Sequence, residues 1–340
     1  MVSRLPWGVM NSSAGPAAED PRQDVHQGIH RAVIEWYARA ARDLPWRAPE
    51  RSPWQVLVSE IMLQQTPVVR VLPVWRRWMQ QWPEPQDLAE ASPADVVRAW
   101  DRLGYPHRAL RLHAAAQSVR DEHGGRVPSR HSELLALPGI GAYTAAAVAV
   151  FAFRQRHAVV DTNIRRVEAR LFTGRALPSR SLTAAETRLA EELLPRDVPE
   201  SVAWNQAVME LGALVCTARS PRCSECPVRE DCAWVAAGSP PAEDVPRGQA
   251  WHGTDRQVRG ALMAVLRAAE EPVPRRLLLA DASSAEQLAT EHGAPPQVVV
   301  DGLTALWRLP APAEQRERAL AGLLADGLAA ESDGGLSLPV

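Results

Sequence analysis

The 340-residue sequence contains no lysine, and all 38 of its basic residues are arginine. A lysine Schiff base is therefore excluded from its chemistry. Cysteine is scarce: there are four, all between positions 216 and 232. Long apolar runs are missing too. The longest, Ala145–Phe153, is far below the ~20 residues needed to cross a bilayer. No apolar segment of signal-peptide type opens the chain, which predicts a cytoplasmic protein without membrane association. No internal repeat is present. A large net charge is absent as well, the formal value being −2. That figure hides a split: residues 26–235 carry 27 arginines against 23 acidic residues, and residues 236–340 carry 9 against 14. The middle segment suits a polyanion better, but by a margin too small for charge alone to suggest nucleic acid. The length gives a prior of two domains, with enough apolar residues for a core.

The stretch Leu137–Arg166 organises the chain. It opens with Leu-Pro-Gly-Ile-Gly, whose glycines permit backbone conformations and close approaches barred to other residues. A helix over Ala142–Phe153 follows, apolar on nearly every face and so buried. A glycine turn feeding a helix N-terminus suits a phosphate. Asp161 comes next, before an arginine-rich helix. Taken alone, this stretch reads equally as a phosphate turn or as a plain glycine turn with an aspartate N-cap.

Upstream, the spacing predicts helices over Val25–Arg42, within Ser52–Pro67, and over Val68–Gln81, Pro93–Arg102 and Arg108–Asp121. Glu60 lies beside the apolar stripe of the second, between Val58 and Ile61. A lone glutamate there is usually solvated or salt-bridged, whereas one held against an apolar wall has a raised pKa and can act as a general acid. In RLGYPHRALRLH a Gly-Tyr-Pro turn is paired with Arg108 and Arg111. Helices over Leu182–Leu194 and Ser201–Val215 lead to Cys216, Cys223, Cys226 and Cys232, spaced C-x6-C-x2-C-x5-C. In a cytoplasmic chain such a loop means metal. Zinc ribbons pair two C-x2-C knuckles and this loop has one. Four thiolates in a compact loop suit an iron–sulfur cubane. Arg219 and Arg222, between the first two ligands, are positioned to meet a phosphate. Past a Gly-Ser-Pro-Pro linker, helices are expected at Gln257–Ala269, Arg275–Ala280 and Ala313–Asp326, then a hairpin about Asp333-Gly334-Gly335. This end reads as a winged-helix-like module or as a generic helical cap.

Four motifs in one order, LPWR, SEIMLQQT, the hairpin with VVDTN, and the cysteine loop, resemble the adenine DNA glycosylases of the MutY type within the helix–hairpin–helix superfamily. The cysteine spacing resembles that of cluster-bearing relatives such as endonuclease III. The resemblance implies an all-α, two-lobed fold: a six-helix barrel over about 48–156, and a [4Fe–4S] cluster lobe from 25–47 plus 157–235, with the DNA cleft between them. Residues 1–24 read as a disordered tail, 236–254 as a linker and 255–340 as a module without Nudix-like pattern.

The resemblance also implies roles. Glu60 protonates N7 of adenine, and Asp161 stabilises the oxocarbenium-like sugar or traps it covalently, two carboxyls doing opposite jobs at one pH. Tyr143 stands where lyase relatives carry their nucleophilic lysine. Tyr143 and Asn163 orient the acid, the aspartate or the water. Gln65 and Tyr105 wedge into the duplex as the base leaves the stack. Trp46, Arg47, Leu63 and Gln206 form the adenine pocket, and Thr66 touches the opposite purine. Gly139, Ile140 and Gly141 hold a phosphate through backbone N–H groups. The implied partner is double-stranded DNA with an adenine mismatch, bound by a monomer associated with the bacterial nucleoid. The sequence departs from the pattern at Pro106, where relatives usually carry a second tyrosine, and at Thr162, where many carry glycine. It has no phenylalanine after Phe172, so the Phe-Ser-His loop with which Nudix-like domains recognise 8-oxoguanine cannot exist. Two alternatives remain: a thymine or uracil mismatch glycosylase of the same fold, and a non-catalytic iron–sulfur DNA-binding regulator.

Overall fold

The computed structural model describes residues 21–242, 250–281 and 296–340, with side chains from Val25. Residues 1–20 of the expected tail and 243–249 of the expected linker lie outside the described residues. The chain divides into two compact units, Met1–Ala41 with Thr162–Pro241, and Arg42–Asp161 with Ala242–Val340. Among the described residues no helix is long and apolar enough to cross a membrane.

The second unit begins with a 3-10 turn, Pro45–Arg47, then α2 (Pro53–Leu63), α3 (Val68–Gln81), α4 (Pro85–Glu90), α5 (Pro93–Trp100), α6 (His107–Glu122), α7 (His131–Ala136) and α8 (Ala142–Phe151). Helix α2 starts where its capping chemistry dictates. Ser52 accepts from the Gln55 N–H and the Gln55 side chain accepts from the Ser52 N–H, with Pro53 in the first turn. Its side chains from Val56 to Met62 are all buried, so the expected stripe widens to nearly every face. Helix α8 is buried from Thr144 to Phe151. It ends two residues before the expected Phe153.

Tryptophans dominate this core. Trp54, Trp78 and Trp100 are fully buried, with the Trp78 ring edge-on to Trp82 at 4.9 Å and to Trp100 at 5.5 Å. A buried indole needs an acceptor, and each finds one on a different segment. Trp54 donates to Trp82 O at 3.2 Å, Trp78 to Ala99 O at 2.9 Å and Trp100 to Gly104 O at 3.0 Å. These bonds tie loops to the core as well as filling it. Helix α5 stops at Trp100 rather than Arg102 because Asp101 turns left-handed, φ 54°. Helices α4 and α7 escaped the periodicity reading because six residues span less than two turns.

The same unit continues with α13 (Asp255–Ala268), α14 (Arg275–Leu279), α15 (Gln297–Trp307), α16 (Ala313–Ala325), β1 (Ala330–Ser332) and β2 (Gly335–Ser337). The sequence reading had no helix at α15. Strands β1 and β2 pair antiparallel, and an isolated bridge joins Val273 to Leu336 of β2, so β2 lies between Val273 and β1. Glycine is required at 335, where φ is 128° and a Cβ would stand 2.4 Å from Val273 O.

The first unit holds α1 (Pro21–Ala40), α9 (Thr162–Thr173), α10 (Ala184–Leu193), α11 (Val198–Leu214) and α12 (Ala233–Ala236). Helix α11 starts three residues before the expected Ser201 because Asp197 caps it, accepting from the Glu200 N–H. His30 of α1 is buried against Trp204 and bonded to Leu193 O at 2.9 Å. Burial lowers its pKa to about 4, so it is a neutral packing residue.

Candidate active site

Glu60 is 6% exposed on α2. Tyr143, in the first turn of α8, donates its hydroxyl proton to Glu60 Oε2 at 2.7 Å across 83 positions of sequence. Burial raises the Glu60 pKa to about 7. The bond from Tyr143 pulls it down, the charge of Asp161 pushes it up, and Arg47 pulls it down. The sequence left open whether Glu60 is solvated; it is buried and its nearest charges oppose one another. Burial, then the charge of Glu60, hold Tyr143 protonated well above the usual phenol range, so it donates at any physiological pH. Glu60, Tyr143, Asp161 and Arg47 therefore form one electrostatic group in the second unit.

The predicted wedge residues share an unusual backbone. Gln65 and Tyr105 both have left-handed φ, 55° and 48°, which costs a non-glycine residue about 1 kcal/mol or more. Both are exposed, Tyr105 by 40%. Arg108, buried on α6, explains how two such loops persist side by side. Its Nη1 donates to Ile61 O at 3.0 Å and Met62 O at 3.2 Å, and to Gln64 O. Its Nη2 donates to Thr66 Oγ1 and Gly104 O, each at 3.0 Å. One guanidinium thus caps the C-terminal carbonyls of α2 and clamps the loop that carries Tyr105. The sequence reading paired Arg108 with the turn but missed this clasp. The available signal was an arginine beside the apolar positions Ala109 and Leu112 of α6. Gln64 was also missed; its Nε2 donates to Thr144 Oγ1 at 3.3 Å, linking α2 to α8.

Other expected residues need correction or a narrower reading. Thr66 is buried, and its hydroxyl also donates to Leu103 O at 3.2 Å, so it braces the loops instead of facing outward. Trp46 is buried in the barrel core, edge-on to Trp75 at 5.4 Å; Leu63 is half-buried against the same core. In the hairpin the Ile140 N–H donates to Leu137 O at 3.1 Å. That bond closes the turn and removes Ile140 from the phosphate-binding set, leaving Gly139 and Gly141. Gly139 is required: φ is 73°, and a Cβ would lie 2.7 Å from Arg111 Cβ.

In the first unit, Gln206 is half-buried on α11. Asn163 accepts from Arg166 Nη2 at 2.8 Å, and the same guanidinium donates through Nε to Cys216 O at 2.7 Å. The side chain two residues past Asp161 is thereby tied to the cysteine loop. Arg222 bonds Leu214 O at 2.6 Å and pairs with Glu225 at 3.0 Å. These bonds brace its own loop, and Arg222 and Arg219 are both exposed.

Cys216, Cys223, Cys226 and Cys232 line one cavity with Arg170, Arg229 and Trp234. All four are free thiols. Among the described residues no three metal-binding side chains converge on a single ion; the thiols instead surround a shared space, as a cubane requires. Burial pushes the Cys226 thiol up to about 11 and raises Cys216, so thiolates there need cationic compensation, which iron supplies. Arg170 Nη1 donates to Cys216 Sγ at 3.3 Å. The residues fit the group.

Residues 58–192 match the model of the HhH-GPD superfamily of base excision DNA repair proteins, and residues 216–232 match the iron–sulfur binding domain of endonuclease III. The chain is 49% identical over 311 residues to an adenine DNA glycosylase of Mycobacterium tuberculosis, covering 90% of this chain and 92% of that one. It is 46% identical over 303 residues to one from Mycolicibacterium smegmatis, covering 89% and 93%. A thermostable thymine-DNA glycosylase superposes with TM-score 0.58 at 28% identity, over 64% of this chain and 100% of that structure. With the geometry of the buried acid and the extent of these matches both in hand, the chain belongs to the adenine DNA glycosylase family of base excision repair.

Proposed function

We propose that the chain hydrolyses the N-glycosidic bond of adenine mispaired with 8-oxoguanine or guanine in double-stranded DNA, as a monofunctional glycosylase without lyase activity. The observation that carries this reading is the Glu60 carboxyl, buried, bonded by Tyr143 and raised to about 7 beside Asp161. Adenine leaves as a neutral base only if a ring nitrogen is protonated, and a carboxyl near pKa 7 is matched to that donation at neutral pH. Glu60 gives its proton to N7 as the C1′–N9 bond breaks. The electron pair stays on the base, and the sugar becomes oxocarbenium-like. Asp161 stabilises that cation, water adds to C1′ and loses a proton, and an abasic site remains. Gln65 and Tyr105 fill the space that the extruded adenine vacates. Gly139 and Gly141 hold a backbone phosphate. Without lysine no side-chain Schiff base forms, so the strand stays intact. The iron–sulfur cluster, when bound, orders the loop that Cys216, Cys223, Cys226 and Cys232 form.

Residues 25–235 make up the glycosylase part in this reading, and 255–340 a winged-helix-like module, supported by the order of Val273, β2 and β1 after α13. The fold is shared with a thymine-DNA glycosylase, but pyrimidines leave more readily as anions and have less need of Glu60. The test is single-turnover release from four duplexes: A opposite 8-oxoguanine, A opposite G, T opposite G, and A paired with T, each with and without alkali. Adenine loss from the first two alone, with strand breaks only after alkali, is the expected result. Thymine loss would replace adenine as the substrate, and tight binding without base loss would make the chain a DNA-binding protein.

A further inference from the structure

The loop between α5 and α6 is held from two sides. Asp101, Gly104 and Tyr105 all have left-handed φ, 54°, 81° and 48°. Glycine takes that conformation freely, but Asp101 and Tyr105 persist in it only where the surroundings impose it. On the barrel side, Arg108 and Trp100 bond to Gly104 O, each at 3.0 Å. The other side faces the C-terminal module. Helix α5 is shared between two cores: Val96 and Trp100, four apart, are buried in the barrel, while Val97 is fully buried among Val258, Leu262 and Leu266 of α13. Ala94 and Leu110, on either side of the loop, pack against the same cluster. Arg98 Nη2 donates to Ala269 O at the end of α13, at 3.2 Å. In the last turn of α13, Arg267 keeps its Nε buried without a hydrogen-bond partner; burial disfavours its charge, while at the start of the loop Asp101 favours it and Arg102 opposes it. At the loop's other end, burial and then the charges of Arg111 and Arg108 disfavour protonation of His107, with smaller, opposed effects from Asp326 and Arg259 of the module; its ring meets Tyr105 edge-on at 6.2 Å.

The same module is poorly suited to grip DNA itself. Residues 236–340 carry 9 arginines against 14 acidic residues. Two of its arginines are engaged internally: Arg318 pairs with Asp255 at 2.9 Å, and the half-buried Arg275 pairs with Glu317 and Glu331. Glu314 of α16 and Asp333 at the hairpin tip are exposed, and acidic groups repel a phosphate backbone.

We propose that the C-terminal module is a positioning element for Tyr105: by sharing α5 and bracing the 101–107 loop through Val97, Arg98 and Arg267, it sets how the wedge enters the duplex and thereby tunes discrimination of the mispair. This rests on the reading of Tyr105 as a wedge and deepens it, assigning the module a role through the loop and none through direct contact with the opposite base.

The test uses the full chain carrying Arg267→Ala, Arg98→Ala or Tyr105→Ala, and each arginine variant combined with Tyr105→Ala. Two readouts are taken: single-turnover adenine release opposite 8-oxoguanine, and the fluorescence of 2-aminopurine stacked beside the mispair in a duplex with an uncleavable adenine analogue. Thermal midpoints check that each variant is folded. Arg267→Ala and Arg98→Ala should each slow release about tenfold, as a displaced positioning contact does, and lower the fluorescence rise on binding. Within the Tyr105→Ala background they should add less than about twofold, because groups acting through one another are non-additive. Full multiplication of the losses, or unchanged release and fluorescence in both folded arginine variants, would overturn the proposal. Should the wild type release no adenine, the assigned reaction fails, and the fluorescence arm alone still decides the bracing role.

Discussion

Replacing Glu60 with glutamine should abolish adenine release and stabilise the protein, two effects of opposite sign from one cause. Glutamine keeps the volume and can still accept from the Tyr143 hydroxyl, but has no proton to give and never ionises. An ordinary glutamate with pKa 4.5 is protonated in only about one molecule in 300 at pH 7. With its pKa raised to about 7, Glu60 is protonated in about one molecule in two, so its surroundings raise the acid population on the order of 100-fold. Losing a general acid costs roughly 10²–10⁴-fold in rate. The stability effect follows from linkage. Because the folded pKa lies above the unfolded one, the wild type is spared any ionisation penalty below about pH 4.5, loses stability as pH rises from there to about 7, and loses no more above it. The full difference is roughly 3 kcal/mol. The stability of Glu60→Gln minus that of wild type should therefore be near constant at acid pH, rise between pH 4.5 and 7, and then plateau. Single-turnover assays and denaturant melts across pH 4–9 measure both. A glutamine variant that cuts at the wild-type rate, or a stability difference that does not change with pH, would refute the assignment of a buried, shifted acid.

Tyr143→Phe removes a bond that favours the charged carboxylate, so the alkaline limb of the pH–rate profile should move to higher pH, with the folded state retained by melting. Arg108→Met leaves the carbonyls of Ile61, Met62, Gln64 and Gly104 without their donor; the cost should be about 2–4 kcal/mol in denaturant melts, with base release impaired on every mispair. Cys226→Ser should lose the visible absorbance of the iron–sulfur cluster and lower the thermal midpoint, since the buried loop then lacks its cross-link.

Much of this was legible because some residues declare their chemistry locally. Ser52-Pro53 announces the start of α2, the alternation of apolar positions places α3 at its observed bounds, and the cysteine spacing marks the metal loop. What stayed hidden depends on partners distant in sequence. Thr66 looks like a surface loop residue until Leu103 and Arg108, 37 and 42 positions away, take up its hydroxyl. Arg108 looks like a surface cation of α6 until its carbonyl partners arrive from α2. The Ile140 N–H looks available until the turn closes on Leu137. The early end of α5 depends on one left-handed aspartate, a conformation that no local pattern announces.

The bond from Tyr143 has a directional meaning beyond its effect on acidity. Because that phenol stays protonated and points at Oε2, the neutral carboxyl carries its own hydrogen on Oε1. The two oxygens of Glu60 are therefore inequivalent: Oε2 accepts from Tyr143, which favours the acidic hydrogen on Oε1. A nucleobase reaching the carboxyl from the Oε2 side would meet a lone pair already in use. In the proposed reaction, approach from the Oε1 side suits the transfer, so the angle of entry matters as well as the identity of the base.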